Sequence, residues 1–185
     1  MYKGIPENFD KNIFSAEWLL LDIETDGFDA DKDNIILIRL AYMENYKILN
    51  HKSLFIKLTR PIGNGIKKLI GISENDFEQA VSLESALTEI EQLSNGVPVL
   101  TTEFTDRFLK NAFIKNERSY KLQCILIDKL MKELCENVKG EKISKLIKEL
   151  PDPIPDVPHL NDVQMDTLYR RTVSVFKRME EKYEG

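Results

Sequence analysis

The chain has 185 residues, of which 42% are hydrophobic and 31% are charged, and this composition excludes a disordered or low-complexity protein. Its formal net charge of −5 disfavours a protein that tracks along duplex DNA, because such binding rests on basic contacts to phosphates. Since no apolar run approaches the ~20 residues that a membrane span requires, we expect a cytoplasmic protein with no membrane partner.

Three runs in the first third of the chain have the composition of β-strands. Residues 18–21 form an apolar run that ends in acidic residues, and residues 35–42 are rich in β-branched side chains. A third run, 48–58, alternates loosely between apolar and polar residues. Polar turns join these runs, so residues 17–58 are predicted to form a three-stranded antiparallel meander.

The rest of the chain alternates between helical and strand-like segments. Apolar residues at helical spacing predict helices, and short apolar runs between them predict two further strands. The predicted helices are 82–94, 105–116, 128–138, 142–150 and a last one from about Asn161; the predicted strands are 97–100 and 122–127. A meander followed by strands that alternate with helices predicts one α/β domain over residues 1–185.

Two carboxylates close the first predicted strand. Asp22 and Glu24 are two residues apart, and side chains at that spacing share one face of a strand. Clustered carboxylates suit Mg²⁺ or Mn²⁺, and a pair of such ions about 4 Å apart can assist phosphoryl transfer. A bare Asp-x-Glu pair is more often the end of a strand and the start of a turn, so the pattern alone leaves both interpretations open.

The sequence around this pair resembles a known nuclease family. WLLLDIETDGF at 18–28 is followed by Arg60-Pro61-Ile62 and by KLIGIS at 68–73. Together these segments are similar to motifs of the DnaQ-like (DEDD) 3′–5′ exonucleases, and the similarity extends over about residues 16–178. It implies a ribonuclease H-like fold with a mixed five-stranded sheet flanked by helices, which agrees with the predicted elements. It also implies four carboxylates that hold two divalent ions, Mg²⁺ or Mn²⁺, beside a histidine or tyrosine base.

The first motif of that family is intact in this chain. Asp22 and Glu24 match its two carboxylates, so the resemblance assigns both to metal binding and catalysis, with Asp22 bridging the two ions. Thr25 and Gly27 belong to the same D-I-E-T-x-G motif. The resemblance assigns these two residues to substrate binding.

The second motif departs from the family pattern. Aligning Phe104 and Phe108 on its aromatic positions places Thr105 where the family has an aspartate, and a hydroxyl is a poor substitute for a ligand carboxylate. Asp106 is adjacent, but it would point about 100° away once the helix has begun. The simpler interpretation of Asp106 is a charge in the first turn of the helix, where the helix dipole favours it. Glu103 could serve as the ligand only after a backbone shift. Thr105 and Asp106 are therefore the two candidates for the second-motif position.

The third motif is shortened. Asp162 is the best match to the last family carboxylate, and His159 lies three residues before it, where the family spacing is five. A histidine on this loop could deprotonate the attacking water, since imidazole titrates near neutral pH; the alternative is an ordinary surface histidine. Asp166, one helical turn after Asp162, could support or replace that carboxylate.

These matches predict a metal-dependent 3′–5′ exonuclease that acts on the 3′ end of single-stranded DNA or RNA. Asp22, Glu24 and Asp162 would hold the ions, and His159 would be the base. The alternative is a catalytically impaired protein of the same fold that binds nucleic acid or acts as a scaffold, because Thr105 replaces a carboxylate. A phosphohydrolase of small nucleotides is a third possibility, and the sequence identifies no protein partner.

Overall fold

The structure is a computed structural model that describes residues 17–137 and 163–184. Its strands are β1 (Glu17–Thr25), β2 (Ile35–Glu44), β3 (Lys47–Phe55), β4 (Val99–Thr101) and β5 (Cys124–Leu126). Its helices are α1 (Asn64–Ile70), α2 (Leu83–Leu93), α3 (Glu103–Lys115), α4 (Ile127–Asn137) and α5 (Val163–Glu184), with a 3₁₀ turn at Glu74–Phe77. The helix predicted at 142–150 and the predicted site residues His159 and Asp162 lie outside the described residues.

The five strands form one mixed sheet in the order β3-β2-β1-β4-β5. The first three strands pair antiparallel, whereas β4 is parallel to both β1 and β5. The sheet confirms the predicted meander and the parallel strands that follow it. The third predicted strand is too long, because β3 ends at Phe55 and Ile56 forms an isolated bridge with Val81 instead.

Helices cover both faces of the sheet, and β1 supplies side chains to each face in alternation. Trp18 and Leu20 belong to the apolar cluster that includes residues of α4 and α5, and the Trp18 ring lies 4.9 Å from that of Phe176. Leu19 and Leu21 belong to the cluster that includes residues of α2 and α3. By the same alternation, Asp22 and Glu24 lie on the α4/α5 face of β1.

The carboxyl ends of β1 and β4 meet at one edge of the sheet. Leu20 pairs with Leu100 in this parallel ladder, and the Thr101 hydroxyl donates a hydrogen bond of 2.8 Å to the Leu21 carbonyl. Thr102 then caps α3, so the helix begins beside Asp22. The helix starts two residues earlier than predicted, because the Thr102 side chain accepts the amide hydrogen of Thr105.

The amino end of α4 lies at the same edge. The Glu103 amide donates to Asp128 Oδ1 in the first turn of α4 at 3.1 Å, which satisfies an amide that α3 itself leaves unpaired. Within the described ranges, no helix combines the length and the apolar character needed to span a membrane. The fold thus places two helix amino ends and the first-motif carboxylates at one edge of the sheet.

Candidate active site

Asp22 and Glu24 share one cationic partner, Arg39 of β2. Arg39 lies directly opposite Asp22 in the β1–β2 register, so the two side chains project from the same face. Its Nη1 donates to Glu24 Oε1 at 2.8 Å and lies 3.5 Å from Asp22 Oδ2. The Arg39 side chain is only 6% exposed, against 18% for Asp22 and 13% for Glu24. A buried guanidinium therefore lies against two carboxylates that reach the surface.

The donor chemistry of this pair suits one hard divalent cation. Carboxylate oxygens are the ligands that Mg²⁺ and Mn²⁺ prefer, and Asp22 and Glu24 present them from one face of one strand. Within 17–137 and 163–184, no group of three or more His, Cys, Asp or Glu side chains is arranged to hold a metal. A second ion would need a ligand such as Asp162, which lies outside those ranges.

The two candidates for the second motif have different surroundings in the first turn of α3. Thr105 is fully buried, and its hydroxyl accepts a hydrogen bond of 3.2 Å from the Thr102 hydroxyl. Asp106 is 7% exposed and accepts hydrogen bonds from the Tyr120 hydroxyl at 2.7 Å and from Lys110 Nζ at 2.8 Å. Glu103, the third alternative, is exposed and pairs with Lys129 at 2.9 Å.

The Asp106 network lies on the α2/α3 face of the sheet. Tyr120 and Cys124 contact each other at 3.2 Å and pack against the apolar cluster of that face. Burial raises the pKa of the Cys124 thiol to about 12 and also raises the pKa of Tyr120. Both groups are therefore neutral near pH 7, and the Tyr120 hydroxyl keeps the proton that it donates to Asp106. Asp22 and Glu24 lie on the opposite face of β1.

The loop after β1 is held by a second set of polar contacts. Asp26 accepts two hydrogen bonds from Asn34 and two from Arg60, whose Nη2 lies 2.9 Å from Asp26 Oδ2. Burial raises the pKa of Asp26, but these hydrogen bonds lower it by more, so its net pKa lies below the usual range. The Thr25 hydroxyl donates to the Gly27 carbonyl. Thr25 and Gly27 thus shape this turn beside the carboxylates.

An exposed aromatic surface, formed by Phe28, Phe104 and Arg107, lies at the same edge. Phe28 is 85% exposed, and its ring packs edge-on against Phe104 with centroids 6.2 Å apart. The Arg107 guanidinium lies 5.7 Å from the centre of the Phe104 ring and donates to the Phe28 carbonyl at 3.2 Å. A large exposed ring beside a cation is suited to stacking on a flat, anionic ligand.

A family model described as Exonuclease (RNase_T) matches residues 19–165, which contain all of β1 except its first two residues, together with Arg39 and α3. The chain belongs to this exonuclease family. Membership confirms the resemblance drawn from the motifs at 18–28 and 68–73.

Relatives of this exonuclease domain are much longer proteins. This chain is 22% identical over 188 residues to the PolC-type DNA polymerase III of Mycoplasmopsis pulmonis, and the match covers 92% of this chain and 13% of that protein. It is 27% identical over 169 residues to the 3′-5′ exonuclease DinG of Staphylococcus haemolyticus, covering 90% of this chain and 19% of that protein. The chain therefore spans less than a fifth of either relative.

Solved structures of exonuclease I have the same fold as this domain. One has a TM-score of 0.64 at 15% identity and covers 89% of this chain and 41% of its own. The zinc-bound form of an E. coli exonuclease I complex with single-stranded DNA has a TM-score of 0.63 at 15% identity, covering 91% of this chain and 41% of its own. These likenesses confirm the ribonuclease H-like fold.

Sequence reasoning missed Arg39 and the aromatic surface of this exonuclease domain. A signal existed for Arg39, since it interrupts the otherwise apolar run 35–42. Phe28 follows Gly27 directly, but a lone aromatic residue in a turn carries little information without its exposure. His51, the second of the chain's two histidines, is exposed on β3. Asp166, the residue expected to support or replace Asp162, pairs with Arg170 at 2.8 Å on α5.

The contacts of Asp106 predict that it stabilises the fold and binds no metal. Asp106→Asn is expected to lower the free energy of unfolding by about 1–2 kcal/mol, because it weakens buried, charge-assisted hydrogen bonds. Urea denaturation measures this loss. Glu89→Gln is the control, because it alters only the exposed ion pair between Glu89 and Lys52 and should change the free energy of unfolding little. If Mn²⁺ binds elsewhere, adding it should raise the Tm of Asp106→Asn by as much as it raises the Tm of the parent protein. Loss of that rise in Asp106→Asn would instead make Asp106 the second-motif ligand.

A side chain at Gly27 is predicted to displace the Asp33 carboxylate. A Cβ at this position would lie 2.0 Å from Asp33 Oδ2, an oxygen that accepts the Asp29 amide at 2.8 Å. Gly27→Ala should therefore lower the free energy of unfolding by about 1–3 kcal/mol and displace the loop after β1. Gly65→Ala is the matched control, because a Cβ there has no neighbour within 4 Å and Ala favours the helix. Equal urea midpoints for the two variants would contradict this prediction.

Proposed function

We propose that this domain is a divalent-cation-dependent 3′–5′ exonuclease that shortens single-stranded DNA or RNA. The observation that carries the proposal is the Asp22 and Glu24 pair at the carboxyl end of the central strand, in a sheet of this exonuclease family. The polarity is supported by a relative named as a 3′-5′ exonuclease, and the substrate by an exonuclease I structure that contains single-stranded DNA. A single domain over 1–185 and a cytoplasmic location stay predictions.

Each group of residues has a role in this proposal. Asp22 and Glu24 would hold the cation, which supplies Lewis-acid chemistry at a phosphodiester when bound. Phe28 would stack on a base near the 3′ end, an interaction worth about 1–3 kcal/mol per base. Thr25 and Gly27 would keep the turn between the carboxylates and Phe28 in place.

Hydrolysis needs a base and a leaving group. His159 would take a proton from the water whose oxygen attacks the phosphorus atom. The bond between phosphorus and the 3′ oxygen of the preceding nucleotide then breaks, and that oxygen takes up a proton. The products are a nucleoside 5′-monophosphate and a chain shorter by one nucleotide.

The test is digestion of single strands that carry a 5′ label, as DNA and as RNA, with Mg²⁺, Mn²⁺ or EDTA. We expect a ladder that shortens from the 3′ end with either metal, no products in EDTA, and protection by 3′-terminal phosphorothioates. Absence of shortening of both polymers with both metals would refute the exonuclease proposal.

The aromatic surface gives a separate test of substrate binding. Phe28→Ala should weaken the binding of a single-stranded oligonucleotide by about tenfold, the loss of one stacked base. Ile114→Ala is the matched control, because Ile114 is 67% exposed on the last turn of α3 and so lies about 15 Å along the helix from Phe104. Equal affinities of the two variants, measured by fluorescence anisotropy, would remove Phe28 from the binding site.

A catalytically impaired nucleic-acid-binding protein is the second candidate function. Two observations favour it: Thr105 offers a buried hydroxyl where a carboxylate was expected, and Arg39 neutralises part of the charge of Asp22 and Glu24. In this case the oligonucleotide binds in a Phe28-dependent manner but is not shortened with either metal.

A further inference from the structure

Arg39 is an unusual component of a cation site because it is itself a cation. It lies on β2 between Ile38 and Leu40, and all three residues are buried. A buried guanidinium is stable only if it is paired with anions, and its partners here include Asp22 and Glu24. The register of β1 and β2 fixes this pairing, since Arg39 lies opposite Asp22.

The geometry sets Arg39 against the same oxygens that a divalent cation would need. Nη1 forms a charge-assisted hydrogen bond of 2.8 Å with Glu24 Oε1 and lies 3.5 Å from Asp22 Oδ2. A cation that binds between these carboxylates must either share their oxygens with Arg39 or displace the Arg39 guanidinium. In both cases the positive charge of Arg39 opposes the binding, and the opposition is strong because the group is shielded from water.

We infer that Arg39 is an intramolecular counter-ion that competes with divalent cations for Asp22 and Glu24. The inference rests on the proposed function in one respect, namely that these carboxylates form the cation site. It goes beyond that function because it makes metal affinity, and hence the metal concentration at which the domain works, a property set by Arg39. The guanidinium also balances part of the negative charge of these two neighbouring carboxylates.

The test is the affinity for Mn²⁺, measured by the electron paramagnetic resonance signal of the free ion. Arg39→Met removes the charge and keeps an apolar stem, and its Kd for Mn²⁺ should be at least about tenfold lower than that of the parent. Arg60→Met is the matched control: it also removes one positive charge at this end of the sheet, but from Asp26. The Kd of Arg60→Met should stay within about twofold of the parent.

A second variant decides the question if Arg39→Met does not fold. Arg39→Gln loses the charge but retains an amide donor for Glu24, so the same gain in affinity is expected. Adding Glu24→Gln to it should abolish the gain, which would place the ion at this pair. A Kd for both Arg39 variants within about twofold of the parent, or an equal gain in Arg60→Met, would overturn the inference.

Oligonucleotide digestion with the same proteins separates this inference from the proposed function. If the Arg39 variants gain Mn²⁺ affinity and none of the proteins shortens a strand, the counter-ion role stands and the exonuclease proposal fails. If the parent shortens a strand and Mn²⁺ affinity is independent of Arg39, the exonuclease proposal stands and the counter-ion role fails.

Discussion

Asp22→Asn is expected to lower the rate of single-strand digestion by about three orders of magnitude or more. The substitution removes a carboxylate that would hold the cation, and the charge stabilisation that a bound metal gives to phosphoryl transfer is several kcal/mol, with each ~1.4 kcal/mol equal to a factor of ten. The fold should survive, because Arg39 keeps its hydrogen bond to Glu24. Digestion of a 5′-labelled oligonucleotide at saturating Mg²⁺ measures the loss.

The same variant should lose the rise in Tm that Mn²⁺ produces in the parent. A cation that binds only the folded state stabilises it, and it also relieves repulsion between neighbouring carboxylates. Glu44→Gln is the matched control, since it removes one carboxylate charge at the opposite end of the β1–β2 ladder, where Glu44 faces Glu17. An undiminished Mn²⁺ response in Asp22→Asn would mean that the metal binds elsewhere.

His159→Ala is expected to reduce turnover by about two to four orders of magnitude, the usual contribution of a general base. A base acts in its deprotonated form, so the rate of the parent should rise with pH through the titration of an imidazole. In the variant that dependence should disappear, while the affinity for Mn²⁺ stays nearly unchanged. Rates across pH 5.5–8.5 in about half-unit steps resolve this difference.

The chain offers a direct control for this histidine. It has two histidines, and His51 lies exposed on β3, opposite Ala41 in the register with β2. His51→Ala should leave both the rate and its pH dependence as they are in the parent. If His159→Ala retains the parent's rate, the histidine has no part in the mechanism, and water attack proceeds without this base.

Local patterns in the sequence were sufficient for the order of the five strands and of helices α2 to α5, and for the placement of Asp22 and Glu24 on one face. Alternation along a strand repeats every two residues, so it is visible without any knowledge of the neighbouring strands. Helix boundaries were less accurate because capping depends on a few side-chain contacts, as Thr102 shows at the start of α3. α1 was missed because it is short and no residue in it is buried, so its apolar periodicity is weak.

Arg39 and Asp106 show what required the tertiary structure. Arg39 reaches the first-motif carboxylates only because β2 pairs with β1 in the register that sets it opposite Asp22, and a slip of one residue would turn it to the other face. Asp106 is one of the two sequence candidates for the second-motif position, but Tyr120 and Lys110 hold it in a network on the α2/α3 face. Sequence motifs thus determined the family and the position of Asp22 and Glu24 on one face of β1. Strand register and long-range packing decided which charges meet them, because those contacts join residues that are far apart in the chain.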